Sequence, residues 1–245
     1  MFPLFKKRPF LKDLIPDQFV DIHSHLLPSI DDGSKNLNDT VDLLTQLKQL
    51  GFAQFITTPH VTTGVWDNTK DGILSKLKET QDYLISENQN FFIRAAAEYI
   101  LDAQFTELVL NKKILTLKEN LVLVEMSYLN PPLQLFDLIF EMQIAGYVPL
   151  LAHPERYGFY HNNFSEFSRL KNAGCKFQLN LLSTMGYYGP AVAECAEKLL
   201  KNGMIDFVGS DVHHQKHIDA FSQRIILKEA TALRNAIANN DFFRI

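Results

Sequence analysis

Asp21-Ile-His-Ser-His-Leu-Leu-Pro-Ser-Ile-Asp-Asp-Gly33 combines two histidines with three carboxylates directly after an apolar run. Residues 19–23 are apolar and β-branched enough to predict a buried strand, and Pro28 predicts the loop that follows it. Because residues two apart in a strand point to the same side, His23 and His25 can direct two imidazoles at one point. Convergent imidazoles beside carboxylates suit a divalent transition metal, although two histidines making ordinary hydrogen bonds would show the same spacing. The rest of the chain decides between these interpretations.

The composition is that of a globular protein with a sizeable core. The 245 residues are 46% hydrophobic and 21% charged, so the chain suits one α/β barrel or two small domains. The net charge is −4, so the chain lacks the excess of basic residues that nucleic-acid binding requires, and no nucleic-acid partner is expected. The two cysteines, Cys175 and Cys195, stand in no disulfide or metal pattern, which is typical of a reducing compartment.

We predict an N-terminal arm over residues 1–18 and a single domain over residues 19–245. The arm begins Met1-Phe-Pro-Leu-Phe-Lys-Lys-Arg-Pro-Phe-Leu-Lys12, where basic residues interrupt the apolar ones instead of preceding them as in a signal peptide. Such a segment could touch an acidic membrane surface or pack on the outside of the domain, and we expect the second. No apolar run approaches the roughly 20 residues of a membrane span, so we predict a cytoplasmic protein without a transmembrane segment.

Apolar runs and helical periods alternate along the chain, with no linker rich in Pro, Gly or Ser. Such alternation is typical of a parallel sheet with right-handed crossovers in an α/β fold. A barrel and an open doubly wound sheet both remain possible on this pattern. The predicted strands span 19–23, 52–58, 91–97, 121–125, 147–152, 176–181 and 205–209. The predicted helices span 38–50, capped by Asn38, and 71–87, 102–110, 133–145, 164–173, 190–202 and 219–239.

Ionisable residues stand at the C-terminal ends of six of the seven predicted strands. In a parallel barrel these ends meet at one mouth, where active sites are built. Buried charges need partners or metals, so this many imidazoles and carboxylates in one mouth predicts bound metal ions. The set exceeds the three or four protein ligands that one zinc requires, so two or three divalent ions are expected. The residues are His23, His25, His60, Glu98, Glu125, His153, Asp211 and His213.

The order of these motifs resembles the polymerase-and-histidinol-phosphatase (PHP) superfamily. More narrowly, the chain is similar over residues 20–213 to the bacterial tyrosine-protein phosphatases of capsule and exopolysaccharide synthesis. The resemblance implies a distorted (β/α)7 barrel, TIM-like and in agreement with the strand count. It also implies a trinuclear site that uses manganese or iron, with zinc or magnesium as alternatives. The segments that carry it are His23-x-His25, Thr58-Pro-His60, His153-Pro-Glu-Arg156 and Ser210-Asp-x-His213, with Glu98 and Glu125.

The family pattern, transferred residue by residue, divides the predicted ligands into three groups. Glu98 belongs to two of the groups because it bridges two ions in the family. Asp31 precedes Asp32 and remains an alternative ligand. The groups are His23, His25, Glu98 and Asp211; Glu98, Glu125 and His153; and Asp32, His60 and His213.

Substrate contacts are implied by the same resemblance. Arg156 matches the family's phosphate-binding arginine, which can clamp two phosphate oxygens in a fork. Family phosphatases carry a second arginine shortly after the last histidine, but here Lys216 or His217 is the candidate replacement, and His217 is also a candidate acid. Trp66 and the pair Tyr187-Tyr188 stand in predicted loops at the mouth, where they can stack on an aryl substrate or simply pack a loop onto the barrel.

The implied activity is metal-dependent hydrolysis of phosphotyrosine on a protein, and the tail of a polysaccharide-export tyrosine kinase is the expected substrate. Clustered metals generate a hydroxide at neutral pH and stabilise both oxygens of an in-line displacement. The cysteines lie in no phosphate loop, which argues against a cysteine-dependent phosphatase. The alternatives are a small-molecule phosphatase, such as one for histidinol phosphate, and a metal-binding regulatory module without catalysis.

Overall fold

The computed structural model describes residues 7–245, in which strands alternate with helices. The strands are β1 (Phe19–Asp21), β2 (Phe52–Thr57), β3 (His60–Val61), β4 (Phe92–Ala95), β5 (Glu98–Ile100), β6 (Leu121–Glu125), β7 (Val148–Ala152), β8 (Lys176–Asn180) and β9 (Phe207–Gly209). The helices are α1 (Leu37–Gln49), α2 (Lys70–Ser86), α3 (Ala103–Leu110), α4 (Leu135–Ile144), α5 (Ser165–Asn172), α6 (Pro190–Lys201), α7 (Gln215–Ala220) and α8 (Thr231–Asn239).

The strands curl into a distorted (β/α)7 barrel, which confirms the predicted fold class and excludes the open sheet. One sheet has the order β1-β2-β4 and the other the order β3-β5-β6-β7-β8-β9, and the pairs within both are parallel. In such a barrel the C-terminal strand ends share one mouth. The arrangement therefore brings the predicted site residues to the same end of the molecule.

Two of the predicted strands are each followed by a second short strand. Pro59, which has no N–H to donate, separates β2 from β3, and the strand predicted at 91–97 ends at Ala95 and resumes at Glu98. Residues 7–245 thus contain nine strands where seven are predicted, because β3 and β5 lie beyond the predicted bounds. After β2 and again after β4, the chain passes from the smaller sheet to the larger one. There His60 of β3 lies opposite Glu98 of β5 in register.

Asn240 joins β1 to β9 near the floor of the barrel, where these two strands share no ladder within residues 7–245. Its buried Nδ2 donates to the carbonyl oxygens of Val20 and Val208 at 2.9 and 2.8 Å. N of Val208 donates back to Oδ1 of Asn240 at 3.0 Å. The side chain of Asn240 therefore replaces the missing backbone bonds between the first and last strands.

The same seam is closed nearer the mouth by Asp21 and Ser210. N and Oγ of Ser210 donate to the two carboxylate oxygens of Asp21, which is fully buried. N of Asp211 then donates to the carbonyl oxygen of His23 at 2.7 Å, and N of His25 donates to that of Val212 at 2.9 Å. These bonds fix the predicted ligands that follow β1 against those that follow β9.

Apolar side chains fill the barrel below the mouth. Alternate residues of β6 point inward, so Leu121 and Leu123 lie beneath Glu125. Phe243, in the short turn Asn240–Phe243 after α8, joins this cluster from below and is fully buried. The predicted site therefore stands on an apolar base.

The helix predicted at 219–239 is wrong as a continuous helix. It is replaced by α7 and α8, with an irregular segment between them. N of Ile225 donates to the carbonyl oxygen of Pro9, and N of Ile226 to that of Thr184, so these backbone groups are not available for helical bonds. The cap predicted at Asn38 is also wrong, because Oδ1 of Asn36 accepts the bond from N of Asp39.

Residues 7–18 of the predicted arm follow the barrel surface. Leu11 and Leu14 are buried in a short 3-10 turn, and Phe10 forms an isolated bridge with Arg224. Residues 1–6 lie outside the described part of the chain, and the division into arm and domain stays a prediction. Among the described residues, the helices include none that has both the length and the apolar character to cross a membrane.

Candidate metal centre

Nine predicted ligands converge at the C-terminal mouth of the barrel. They form four overlapping groups of three or four residues whose nitrogen and oxygen atoms lie within 4.8 Å of one another. Strand ends or the loops just after them provide each residue, as the sequence predicts. The groups are His25, Asp32, His60 and His213; His23, Glu98 and His153; His23, His25 and Asp211; and His60, Glu98 and Glu125.

His23 and His25 both contact Glu98 and Asp211. Nε2 of His23 lies 3.1 Å from Oε2 of Glu98 and 3.3 Å from Oδ1 of Asp211. Nε2 of His25 lies 3.4 Å from the same two oxygens and from Nε2 of His23. Ligands about 2.1 Å from one tetrahedral ion are spaced by about 3.4 Å. These four donors, all buried, therefore fit a shared divalent ion.

Glu98 divides its carboxylate between two groups of histidines. Oε2 faces His23, whereas Oε1 lies 3.0 Å from Nε2 of His153. Nδ1 of His60 lies 3.3 Å from Oε2 of Glu98 and 3.0 Å from Oε1 of Glu125. A carboxylate with each oxygen in a different donor group has the form of a bridging ligand, as the family resemblance implies for Glu98.

Asp31 and Asp32 have different environments. Oδ1 of Asp32 lies 3.4 Å from Nε2 of His213 and 3.6 Å from Nε2 of His60, and its side chain is 57% exposed. The carboxylate of buried Asp31 instead accepts bonds from Nδ1 of His25 and from the N atoms of His60 and Gly33. Asp31 is thus occupied by protein donors, and this geometry favours Asp32 as the ligand.

Two side chains hold the histidines after β1 in one orientation. Nδ1 of His23 donates to Oε1 of buried Gln178 at 2.7 Å, and Nδ1 of His25 donates to Oδ2 of Asp31 at 2.8 Å. When Nδ1 carries the proton, Nε2 keeps its lone pair for a metal. Both Nε2 atoms point at Glu98, so their lone pairs converge.

Burial and opposite charge act against each other in this cluster. Burial lowers the pKa of His23, but the charges of Glu98 and Asp211 outweigh it and raise that pKa to about 9. Burial likewise raises the pKa of Glu98 and of Asp211, yet the histidine charges hold both well below their usual range. The carboxylates therefore stay ionised at neutral pH. Protons and divalent ions would compete for the same imidazole nitrogens, which is the donor chemistry of a metal site.

Two predicted ligands have a backbone conformation that residues other than glycine rarely adopt. His153 has φ of 35° and Asp211 has φ of 52°, in the left-handed region. Gly209 lies so close beneath the site that a Cβ there would fall 2.6 Å from Cβ of His23. Such strain and close packing occur where the surrounding structure fixes a functional geometry.

A cavity of about 240 Å³ opens onto the cluster, and we call it the metal cavity. Besides predicted ligands it is lined by Tyr128, Arg156, Tyr188, His214 and His217. The guanidinium carbon of Arg156 lies 4.8 and 4.1 Å from the ring centres of Tyr128 and Tyr188, and Nη1 donates to Oδ2 of Asp211 at 2.9 Å. Arg156 thus brings a fixed positive charge next to the ligands, as its predicted role requires.

The other predicted substrate contacts lie in different places, and only some of them line the metal cavity. His217 lines the metal cavity, where burial lowers its pKa to about 4 and N of His213 donates to its Nδ1. His217 is therefore neutral with its proton on Nε2. Lys216 is exposed outside the metal cavity, and Tyr187 packs edge-on against His217 from outside it. Trp66 lines a neighbouring cavity.

The sequence interpretation missed four residues around the site: Gln178, Asn180, Tyr128 and His214, whereas Tyr188 lines the metal cavity as expected from its place at the mouth. Nδ2 of Asn180 donates to Oδ2 of Asp211 at 2.8 Å and to the hydroxyl of Tyr188 at 3.1 Å. A signal was available for the two amides, since Lys176, Gln178 and Asn180 alternate with apolar residues along β8 and so place polar groups on one side of the strand. Tyr128 and His214 follow strand ends but carry no pattern that separates them from ordinary loop residues.

Comparison with known proteins agrees with this geometry. The chain is 27% identical over 198 residues to the tyrosine-protein phosphatase YwqE of Bacillus subtilis, covering 80% of this chain and 78% of YwqE. It is also 27% identical over 203 residues to the tyrosine-protein phosphatase CpsB of Streptococcus pneumoniae, covering 80% and 83%. A crystal structure from work on YwqE and CpsB, described as metal-dependent tyrosine phosphatases, superposes with a TM-score of 0.76 at 26% identity. That match covers 82% of this chain and 84% of the other.

Residues 19–223 match the family model for capsular polysaccharide synthesis, CpsB/CapC. The match spans most of the chain and includes the predicted ligands and Arg156. It confirms the resemblance to the bacterial phosphatases of capsule synthesis that the motifs indicate. This chain belongs to the capsular polysaccharide synthesis family CpsB/CapC.

Proposed function

We propose that this protein is a metal-dependent protein-tyrosine phosphatase. The observation that carries the proposal is the convergence of four metal-ligand groups on one cavity that also contains Arg156. The carboxylates and imidazoles can bind divalent ions, and the partly buried guanidinium of Arg156 can bind a phosphate, so the cavity combines both requirements of metal-assisted phosphate hydrolysis. The names of YwqE and CpsB as tyrosine-protein phosphatases support the substrate class.

Two or three ions, manganese or iron in the first instance and zinc or magnesium as alternatives, would be held by the three predicted ligand groups. Mixed imidazole and carboxylate donors suit these metals, whereas the two buried cysteines lie apart from the cluster. Divalent ions bound there would activate water at neutral pH and neutralise charge on the transferring phosphoryl group.

Side chains of the metal cavity perform the remaining tasks. Arg156 binds the phosphate in a fork, and the rings of Tyr128 and Tyr188 pack against its guanidinium. His217 donates from Nε2 to the phosphate or to the departing oxygen, because its Nδ1 is already an acceptor. A neutral imidazole orients the leaving group but is a weak acid.

The absence of a strong acid among the assigned residues favours a good leaving group. Phosphotyrosine departs as a phenolate whose conjugate acid has a pKa of about 10 and needs little protonation. Histidinol phosphate would release a far more basic alkoxide, which requires a stronger acid. A tyrosine-phosphorylated protein is therefore the proposed substrate, and the family's link to capsule synthesis supports the tail of a polysaccharide-export tyrosine kinase.

The test compares substrates on one preparation loaded with Mn²⁺. We expect hydrolysis of aryl phosphates and phosphotyrosine peptides, with phosphoserine peptides and histidinol phosphate slower by orders of magnitude in kcat/KM. Chelation should abolish activity, and Mn²⁺ should restore it. A preference for histidinol phosphate would overturn the tyrosine assignment. Full activity in chelated protein with fewer than one ion per chain would overturn the metal assignment.

A further inference from the structure

We propose that a second cavity beside the metal cavity binds a lysine or arginine side chain of the substrate protein, and that the enzyme therefore prefers phosphotyrosines with a basic neighbour. This side cavity has a volume of about 220 Å³, and its lining includes Val61, Trp66, Asp67, Ile100, Asp102 and Phe105. The inference rests on the proposed function, because it concerns residues that flank the phosphotyrosine.

Alternation along two strands makes the cavities neighbours. His60 and Glu98 belong to the metal cluster, and the next residue of each strand, Val61 or Tyr99, lines the side cavity. The two strands pair in register, His60 with Glu98 and Val61 with Tyr99. One pair of strands therefore separates the two cavities. A peptide with its phosphotyrosine in the metal cavity advances about 3.3–3.6 Å per residue, so a near neighbour reaches the side cavity.

The size of the side cavity suits one side chain. Pockets for drug-sized ligands usually have roughly 300–1,000 Å³, and this cavity is smaller, at about 220 Å³. It is also formed by loops that follow β3 and β5 at the mouth end of the barrel. A single residue of a bound peptide is the occupant that this volume allows.

The chemistry of the lining selects among side chains. Val61, Ile100 and Phe105 provide apolar walls, Trp66 provides an aromatic face, and Asp67 and Asp102 provide negative charge. Within the described part of the chain, the lining includes no lysine, arginine or histidine. Lysine and arginine combine an apolar stem with a cationic tip, and a tryptophan face attracts that cation. The two carboxylates accept bonds from N of Gly64 and N of Phe105, but a purely apolar side chain would bring no charge to balance theirs.

The loop that carries Trp66 is held in place before any ligand binds. Thr62 and Trp66 exchange two backbone hydrogen bonds, at 3.0 and 2.8 Å. Nδ2 of Asn68 donates to the carbonyl oxygens of Ile30 and His60, both at 2.8 Å. The aromatic wall of the side cavity is thus tied to the loop beside a predicted ligand, and binding costs little ordering of the loop.

The experiment measures kcat/KM of the Mn²⁺-loaded full chain on an alanine-flanked phosphotyrosine peptide and on versions with one lysine or one glutamate at each neighbouring position. At the best position lysine should raise kcat/KM about fivefold, because an exposed ion pair and a cation–π contact each contribute a few-fold at most. Asp67→Asn keeps the acceptor for N of Gly64 but removes the charge, and should reduce the preference to the part that Asp102 and Trp66 provide. Asp67→Lys should reverse it in favour of glutamate.

Asp71→Asn is the matched control, since Asp71 is exposed on α2 and outside the side cavity. It should keep the lysine preference, and all three variants should hydrolyse a peptide-free aryl phosphate as the parent does. Equal kcat/KM for lysine and alanine peptides, or a preference that survives Asp67→Lys, would overturn the side-cavity proposal. If no aryl phosphate is hydrolysed, the proposed function fails separately. Calorimetric binding of the same peptides then decides the side cavity, which equal Kd values would exclude.

Discussion

Among single residues, Asp211 connects the metal cluster to the phosphate-binding side. Its Oδ1 faces His23 and His25, whereas its Oδ2 accepts bonds from Nη1 of Arg156 and from Nδ2 of Asn180. Arg156 therefore has two possible roles: contact with the phosphate, or support of a metal ligand. Asn180 would continue to hold Oδ2 if the arginine were removed, which allows the two roles to be separated.

Arg156→Ala should leave the metal content unchanged and lower turnover at least tenfold, equivalent to about 1.4 kcal/mol, because the phosphate loses its fork. Arg156→Lys should recover only part of the rate, since an ammonium cannot form two parallel bonds. Arg169→Ala is the control, because Arg169 pairs with Glu166 on the exposed surface. Metal analysis and steady-state kinetics of the same variant distinguish the two roles. Metal loss in proportion to activity would mean that Arg156 acts through Asp211.

Gln178→Leu should weaken metal binding about 10- to 100-fold with little change in fold, because nothing would then hold the proton on Nδ1 of His23. Titration of metal-free protein with Mn²⁺, followed by calorimetry, measures the change. Gln81→Leu removes a hydrogen bond to the Ile93 carbonyl far from the cluster and should leave Mn²⁺ affinity unchanged. Equal affinity in the Gln178 variant and the parent would show that Gln178 does not orient His23.

At the level of helices and strands, local patterns predict what depends on local geometry. The alternation at His23 and His25, and the placement of His60 after Pro59, follow from strand period and from proline's missing donor. The division at Ala96-Ala97 has no such signal, because it depends on which sheet the chain joins next. The segment between α7 and α8 keeps a helical period, but Ile225 bonds to Pro9, more than two hundred residues away in sequence. Pairing over such distances cannot be inferred from neighbouring residues.

The seam between β1 and β9 gives a stability prediction. Asn240→Ala would leave buried carbonyls of Val20 and Val208 and the N–H of Val208 without partners, at roughly 1–3 kcal/mol for each group that finds no water. Denaturant unfolding of the metal-free protein should show a clearly lower midpoint with an unchanged slope. Asn239→Ala, which removes one exposed bond to Asp206, should shift the midpoint far less. Similar midpoints for the two variants would contradict the role of Asn240.

For the whole molecule, the segments on either side of the family match pack against each other and against the barrel. The match ends at residue 223, and directly after it Arg224 bridges to Phe10 and Ile225 bonds to Pro9. Farther on, Nη2 of Arg244 donates to the carbonyl oxygen of Gln18, and Phe243 closes the barrel floor. The family's barrel is therefore supported in this protein by both flanking segments.

This closure determines when the barrel can be completed during synthesis of the chain. Val20 and Asn240 are 220 residues apart in sequence, yet Nδ2 of Asn240 donates to the carbonyl oxygen of Val20 across the seam. At about 5–20 residues per second, a ribosome takes on the order of ten seconds or more to make the chain between them. Contacts of such long range form late in folding. A growing chain thus exposes His23 and His25 early, and the seam beneath them is complete only once Asn240 has been made.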